Sequence, residues 1–490
     1  MSLRDRLDGV FKSRDEFDLT SGDIAKPLFY LSLPIVVTNL LQTAYNLADT
    51  FWLGQFSTNA LAAISFAFPM VFLLIALGMG LSVAGSVLVA QHTGAGEEKK
   101  AEYAASQTVT FSLVGSVFLG LFGYVIVGPL LQVFGASADV LPLARGYMQI
   151  ISLGLPFMFG FLVFIALMRG YGDTITPMLV MFGSVVLNIA LDPILIFGFE
   201  GNPLFGMLGL GGLQTQLLAA TGYAGSGIAG AAVATVFSRS LALVVGLAIM
   251  FRGTRGVEIH LSQMRPDFGY LRRLLNIGVP ASVEVTGRAL SVNLLLIVVG
   301  MFPTTVVAAY GIGVRVFSVI FLPAIAVARG VETMTGQNIG AGKEGRAEKA
   351  ANIAAIAMFA ILSLAGVVAF VAAEPIIAIF TDDAEVIRVG ADFLYWVAPS
   401  FGFIGIMRSY TGSFRGAGET LTAAAIAVTM LGLIRLPFAY FASQSFGYGS
   451  TGIWMAFTVS NVAGAAIAYA WYRRGTWREG SLARTAPADD

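Results

Sequence analysis

Residues 91–102 read QHTGAGEEKKAE and residues 337–348 read QNIGAGKEGRAE, 246 positions apart. The same offset relates RGYGDT at 169–174 to RGAGET at 415–420, and Pro34 to Pro280. Three separate matches at one offset identify an internal repeat as long as a whole lobe. The offset then falls to 225 between GIAGA (227–231) and GIWMA (452–456). The first half therefore carries 21 extra residues, the difference of the two offsets, within the Gly-rich stretch FEGNPLFGMLGLGGLQTQLLAATGYAGS (199–226).

Uncharged apolar runs lie between the repeated loops. Of the 490 residues, 57% are hydrophobic and only 12% charged, where a soluble domain carries about 25% charged residues. A run of roughly 20 apolar residues crosses the hydrocarbon core as a helix. Twelve such spans are expected near 27–53, 60–91, 103–128, 143–168, 176–199 and 226–251, then 273–300, 306–338, 350–373, 388–413, 420–444 and 450–472. Backbone amides in lipid must bond within their own segment, and no strand-like alternation is present, so the spans read as helices. The fold class is an all-α membrane protein with twelve transmembrane helices in two six-helix lobes. An even number of crossings per half gives both halves the same orientation, related by a pseudo-twofold axis along the membrane normal. The expected segments are 1–26 (cytoplasmic), 27–251 (first lobe), 252–272 (cytoplasmic linker), 273–472 (second lobe) and 473–490 (cytoplasmic tail).

Charge gives the orientation. With the N-terminus cytoplasmic, 22 of the 29 basic residues fall on cytoplasmic segments, Arg169, Arg408 and Arg415 counted among them. Only Arg145 and Arg388 fall outside, and Arg239, Arg288, Arg315, Arg329 and Arg435 lie within spans. This satisfies the positive-inside rule and places both termini in the cytoplasm of a multi-pass protein of the cell membrane. Residues 1–26 lack the short apolar core of a cleaved leader.

Several chemistries are excluded. The net charge is zero, so no global field selects nucleic acid. There are no cysteines, hence no thiolate metal site or cysteine nucleophile. His92 and His260 stand far apart in charged loops, so no zinc site is expected. The GAG loops are not phosphate cradles, since no Lys-Ser/Thr pair follows and no strand precedes them. Without an ATP-binding motif, energy must come from a gradient.

Ionisable residues inside spans are costly and few. Asp49, in YNLADTFWLG (45–54), shares a helix face with Tyr45 and Asn46. It reads either as a cavity carboxylate binding a proton or sodium, or as an interfacial aspartate reaching headgroup water; its polar face favours the cavity. Asp192, in LNIALDPILIF (187–197), has Asn188 four residues earlier on the same face. Pro193 cannot donate a backbone hydrogen bond, so the helix is expected to bend or loosen there, offering carbonyls beside a carboxylate to a small hard cation. The alternative is a helix-breaking Asp-Pro at the membrane surface. Two carboxylates in one poorly solvated site resist ionising together, the condition a proton-coupled carrier needs. Pro34 is either a hinge or a static kink. Glu284 reads as the only acid deep in the second half's early spans, and Arg288 at i+4 offers it a local partner. Arg315, Arg329 and Arg435 are expected to pair with acids or to snorkel. The second half does not copy the first-half acids: offset 246 places Leu295 and Phe438 there. The two RGxG[DE]T loops are expected to be structural turns and caps.

YNLADTFWLG, LNIALDP, the TGQNIGAG loop (335–342) and the tandem six-plus-six plan together resemble the multidrug and toxic compound extrusion (MATE) family, in its DinF-like branch. The likeness covers about residues 20–472. It implies a V-shaped pair of lobes and export of organic, often cationic or amphipathic, compounds against inflow of H+ or Na+. By resemblance, Asp49, Asn188 and Asp192 form the ion site, completed by Thr235 in GAAVATVF (230–237). Tyr147 and the hinge Pro34 match family positions by spacing. The extra stretch before span six departs from the pattern and puts the spacing to Thr235 in doubt. Tyr45, Asn46, Tyr147 and Glu284 are further substrate or coupling candidates. No cofactor and no resident metal are implied beyond the coupling ion, and a monomer is expected.

Three other readings compete. A lipid-linked precursor flippase of the same superfamily needs a cationic cavity, and most arginines here read as cytoplasmic. An intramembrane prenyl or glycosyl transferase needs acid-rich loops such as DDxxD, and Asp382–Asp383 stands without a partner motif. A major-facilitator carrier needs DRxGR between spans two and three, where GAGEEKKAE stands instead.

Overall fold

Every apolar run folds as a helix, because within lipid only a helix satisfies each amide of its own segment. The computed structural model describes residues 18–133 and 137–479. Arg4, Arg6, Lys12, Arg14 and Arg484, used above for orientation, lie outside the described residues, as do most of the terminal segments they mark. In the first half the crossing helices are α1 (Ala25–Phe56), α2 (Thr58–Gly94), α3 (Glu98–Val133), α4 (Leu141–Tyr171), α5 (Ile175–Phe197) and α6 (Gly227–Arg252). In the second they are α7 (Phe268–Val299), α8 (Thr304–Ile320 with Leu322–Gly340), α9 (Glu344–Val371), α10 (Ala384–Gly416), α11 (Thr420–Ser445) and α12 (Gly449–Arg473). Eleven are unbroken, and the pair that makes α8 bends by 40°. Pro323 opens its second segment; proline lacks an N–H and collides with the preceding turn, which breaks the helix there. Large apolar side chains such as Phe118, Val125, Ile356, Leu364 and Val371 stand exposed on the outer faces, as in a multi-pass membrane protein whose solvent is lipid.

The helices outrun the expected spans by several residues, since they continue beyond the hydrocarbon. α11 departs from α-geometry at Thr429–Arg435 and Phe441–Ser445, which are π-helical. The extra stretch of the first half is more ordered than its glycines suggested. It holds the short helices Pro203–Met207 and Gly211–Thr221. Asn202 from this stretch donates to the carbonyls of Pro193 (2.8 Å) and Gly198 (2.7 Å), closing the outer end of α5. The linker after α6 is docked: Gln107 on α3 donates to the carbonyls of Gln263 and Arg265, and Val257 and Ile259 are buried.

The repeat explains how the halves meet. α2 packs on α7 and on the second segment of α8, and α1 packs on both α5 and α8. Gln91 on α2 donates to the carbonyl of Gly416 (3.0 Å), while Gln337 on α8 donates to the carbonyl of Gly170 (3.1 Å). These two bonds exchange places under the 246-residue offset. A Cβ on Gly94 would lie 1.9 Å from the carbonyl oxygen of Gln337, and one on Gly340 would lie 1.9 Å from that of Gln91. The repeated QxxGAG and RG segments are therefore the two sides of one close backbone contact between the halves. The first of the RGxG[DE]T turns also caps: Gly172 has φ 105°, and Asp173 accepts from the Ile175 and Thr176 amides, whereas Glu419 of the second makes no side-chain cap to the helix it opens.

Candidate functional site: a carboxylate pair beside a central cavity

Asp49 occupies the last two turns of α1 and is buried despite its charge. On α5, Asn188 and Asp192 are both fully buried (0% exposed). The i, i+4 spacing places them on one face, and Asn188 Nδ2 donates to Asp192 Oδ1 at 3.1 Å. The carboxyl groups of Asp49 and Asp192 lie close enough to interact directly. The Tyr45 hydroxyl donates to Thr235 Oγ1 on α6 at 2.6 Å, so Thr235 reaches the site despite the extra residues before α6. Tyr147 on α4 is buried close to both aspartates.

Asp49 Oδ1, Asn188 Oδ1 and Asp192 Oδ2 are buried and accept no hydrogen bond among the described residues. A buried acceptor left without a donor costs about 1–3 kcal/mol, so three such oxygens together form a place for a proton or a hard cation. α5 continues through Pro193 to Phe197. Asn202 takes the carbonyls of Pro193 and Gly198 at its end.

A cavity of about 950 Å³ opens beside this pair, lined by Tyr45, Asn46, Asp49, Tyr147, Thr235 and Arg239 among mostly apolar side chains. α8 contributes Ile325 and Arg329. Asp49 fronts the cavity, whereas Asn188 and Asp192 are set behind it. Asn46 accepts from Gln42 (3.1 Å). Pro34 is buried in α1, fifteen residues before Asp49, and its carbonyl accepts from Thr38 Oγ1 (2.8 Å).

Sequence reasoning counted Arg239 but gave it no role. It is buried on α6, donates to Gln42 Oε1 (2.8 Å) and lies 4.7 Å above the Tyr45 ring. Its position one turn beyond Thr235 was the available signal.

Glu284 lies elsewhere, with the local partner expected for it. It is paired with Arg288 (3.3 Å) and also with Arg415 (3.1 Å) of α10. It is not alone: Glu332 on α8 is 1% exposed and pairs with Arg329 (2.9 Å) and Arg415 (3.0 Å). Arg169, Arg408 and Arg415 belong to helices α4 and α10 rather than to loops. Arg435 meets no acid; it donates to Ser460 and Asn461. Both histidines face carboxylates, His92 that of Glu97 (2.7 Å) and His260 those of Glu102 (3.2 Å) and Glu258 (3.7 Å).

The family model MatE matches residues 34–194 and 280–441. The chain belongs to the MatE family. The two matched segments begin 246 residues apart, at the prolines that open the repeat. The chain is 27% identical, over 94% of its length and 98% of the other's, to the probable multidrug resistance protein YpnP of Bacillus subtilis (strain 168). It is 26% identical to the FAD transporter of Shewanella oneidensis, over 92% of this chain and 94% of the other. Its fold matches a MATE-family multidrug resistance transporter solved in an outward-facing conformation, with TM-score 0.84 and 23% identity over 96% of this chain and 100% of that one. As a MatE protein the chain is a transporter of all-helical, multi-pass architecture.

Proposed function

We propose that this MatE protein is a secondary active antiporter that exports organic, often cationic or amphipathic, compounds in exchange for H+ or Na+ by alternating access. One observation carries the reading: three donor-less oxygens of Asp49, Asn188 and Asp192 lie directly behind a drug-sized cavity. Pockets for such ligands are mostly apolar with a few placed polar groups and reach roughly 1,000 Å³, which this cavity matches. The names of relatives such as YpnP support drug export.

The incoming ion meets Asp49 at the cavity wall and is shared with Asp192 and the Asn188 carbonyl behind it. Neutralising the pair removes buried charge from the wall, changing what α1 presents to the cavity. Because α1 packs on both α5 and α8, a change at Asp49 reaches the second half along one helix, with Pro34 as the place where it yields. The lobes, 27–251 and 273–472, rock about the contact made by Gln91, Gln337 and the RG carbonyls. The termini are cytoplasmic in the cell membrane, and a single chain encloses the whole cavity, so the working unit is a monomer.

The flippase reading was set aside because the arginines read as cytoplasmic. That reason falls, since Arg169, Arg239 and Arg329 line the cavity; the drug-resistance names of relatives now weigh against it instead. The test is efflux of a fluorescent organic cation from proteoliposomes, with proton and sodium gradients imposed separately. Efflux driven by one gradient identifies the coupling ion; efflux indifferent to both overturns antiport.

A further inference from the structure

A second cavity of about 150 Å³ lies between the halves, lined by Glu284, Arg288, Arg329, Arg408 and Arg415 with Val83, Ala281, Val285, Ile325 and Ala328. It adjoins the larger one, for Val83, Ile325 and Arg329 line both. We propose that it is a subsite for an anionic head group, a phosphate or carboxylate, on an amphipathic molecule whose apolar body occupies the larger cavity.

Charge carries the inference first. Five guanidinium groups converge here: Arg288, Arg329, Arg408 and Arg415 on the wall, and Arg169 close to Glu332, Arg329 and Arg415. Glu284 and Glu332 are the carboxylates that answer them. Two negative charges against five positive ones leave an excess of three around a site where Arg415 is buried and the other four arginines are part-buried, and a charge withdrawn from water without a counter-charge is unfavourable. Glu284 pairs with Arg288 and Arg415, Glu332 pairs with Arg329 and Arg415 while its Oε1 has no hydrogen-bond partner, and Arg169 and Arg408 have no ion pair among the described residues.

Hydrogen-bond geometry carries it second. The Nε atoms of Arg169 and Arg408 are buried and donate to no group among the described residues. A planar guanidinium with free donors fits the oxygens of phosphate or carboxylate two at a time. Position carries it third. Arg169 and Arg415 are the paired arginines of the repeat, one from each half. An anion held between them bridges the halves beside the contact formed by Gln91 and Gln337, and favours the conformation in which that end is closed.

The subsite rests on the transport reading only in taking the larger cavity as substrate space. It is therefore tested by equilibrium binding, without a gradient. The protein is placed in nanodiscs of phosphatidylcholine and titrated calorimetrically with phenyl phosphate, with benzyl alcohol as the uncharged control. Phenyl phosphate is expected to bind saturably and benzyl alcohol not to. Arg408→Gln, which disturbs none of the ion pairs, and Arg329→Gln are each expected to weaken binding at least tenfold. Because no gradient is applied, lost phenyl phosphate binding reports on the anion subsite and lost gradient-driven efflux on the coupling site, so the two failures give different results. Repeating the titration in nanodiscs containing phosphatidylglycerol assigns the source: competition points to a lipid head group, and unchanged binding to a soluble organic anion. Phenyl phosphate binding no better than benzyl alcohol, or binding unchanged in both arginine variants, overturns the proposal.

Discussion

The two halves share a fold and differ in the chemistry at equivalent positions. In the first half, Asp49, Asn188 and Asp192 converge with oxygens that lack donors. In the second, offset 246 turns the aspartates into Leu295 and Phe438, and offset 225 turns Thr235 into Ser460. Arg435 occupies that neighbourhood, donating to Ser460 Oγ (2.8 Å) and Asn461 Oδ1 (2.7 Å) and stacking 4.3 Å from the Phe457 ring. Asn461 in turn donates to Ser400 (2.8 Å). One position keeps buried oxygens without donors among the described residues, while at its counterpart an arginine donates to the surrounding side chains. Duplication supplied two equal frames, and only one remains open to solution chemistry.

The largest effect belongs to the acids. Asp49→Asn and Asp192→Asn are each expected to reduce gradient-driven efflux to the level of protein-free vesicles, with expression and monodispersity kept. If both variants pump normally, the contrast between the halves has no functional meaning. Arg435→Leu is expected to act the other way, lowering stability by about 2 kcal/mol through hydrogen bonds lost to a charged donor. Thermal unfolding followed by size-exclusion chromatography would register it, with ion selectivity unaltered in efflux assays. A third comparison uses what the halves share. Gln91→Ala or Gln337→Ala removes one side of the reciprocal contact, about 1 kcal/mol for each lost bond, and shifts the balance of facing states by roughly fivefold. Because the chain has no cysteine, a single cysteine at Thr174, on the cavity wall, reports the shift by its labelling rate. Equal shifts from the two glutamines sharpen the pseudo-symmetry, and a shift from one alone breaks it. The smallest effect is at Thr235. Thr235→Val loses the bond from Tyr45, about 1 kcal/mol, and is expected to weaken the apparent affinity for the coupling ion several-fold, with Thr235→Ser close to the parent.

The candidate ion site was legible because ionisable residues in apolar runs are rare, and i, i+4 spacing on a helix is local geometry. Asp49 with Tyr45, and Asp192 with Asn188, could each be read within one turn. Their meeting across α1 and α5 was reached only through resemblance, since nothing in either segment encodes the other. The arginine cluster was misread for the same reason in reverse. Span ends were drawn at the first charges, which turned Arg169 and Arg415 into loop residues, and Glu332 was passed over inside span eight. A charge at the end of a helix looks solvated until the opposite half is packed against it. At Pro193 the local rule covers the missing amide hydrogen bond, while only the fold brings Asn202, from the extra stretch, to the carbonyls of Pro193 and Gly198.

By itself the sequence determined twelve helices in two repeated halves, because hydropathy and self-similarity need no knowledge of neighbours. It also determined that the first half alone keeps the acids. Only the tertiary structure decided which charges are buried together, because burial is a property of what another helix covers. That is why Asp49 and Asp192 became one site, why Arg435 closed its counterpart, and why arginines from both halves gathered around a cavity of their own.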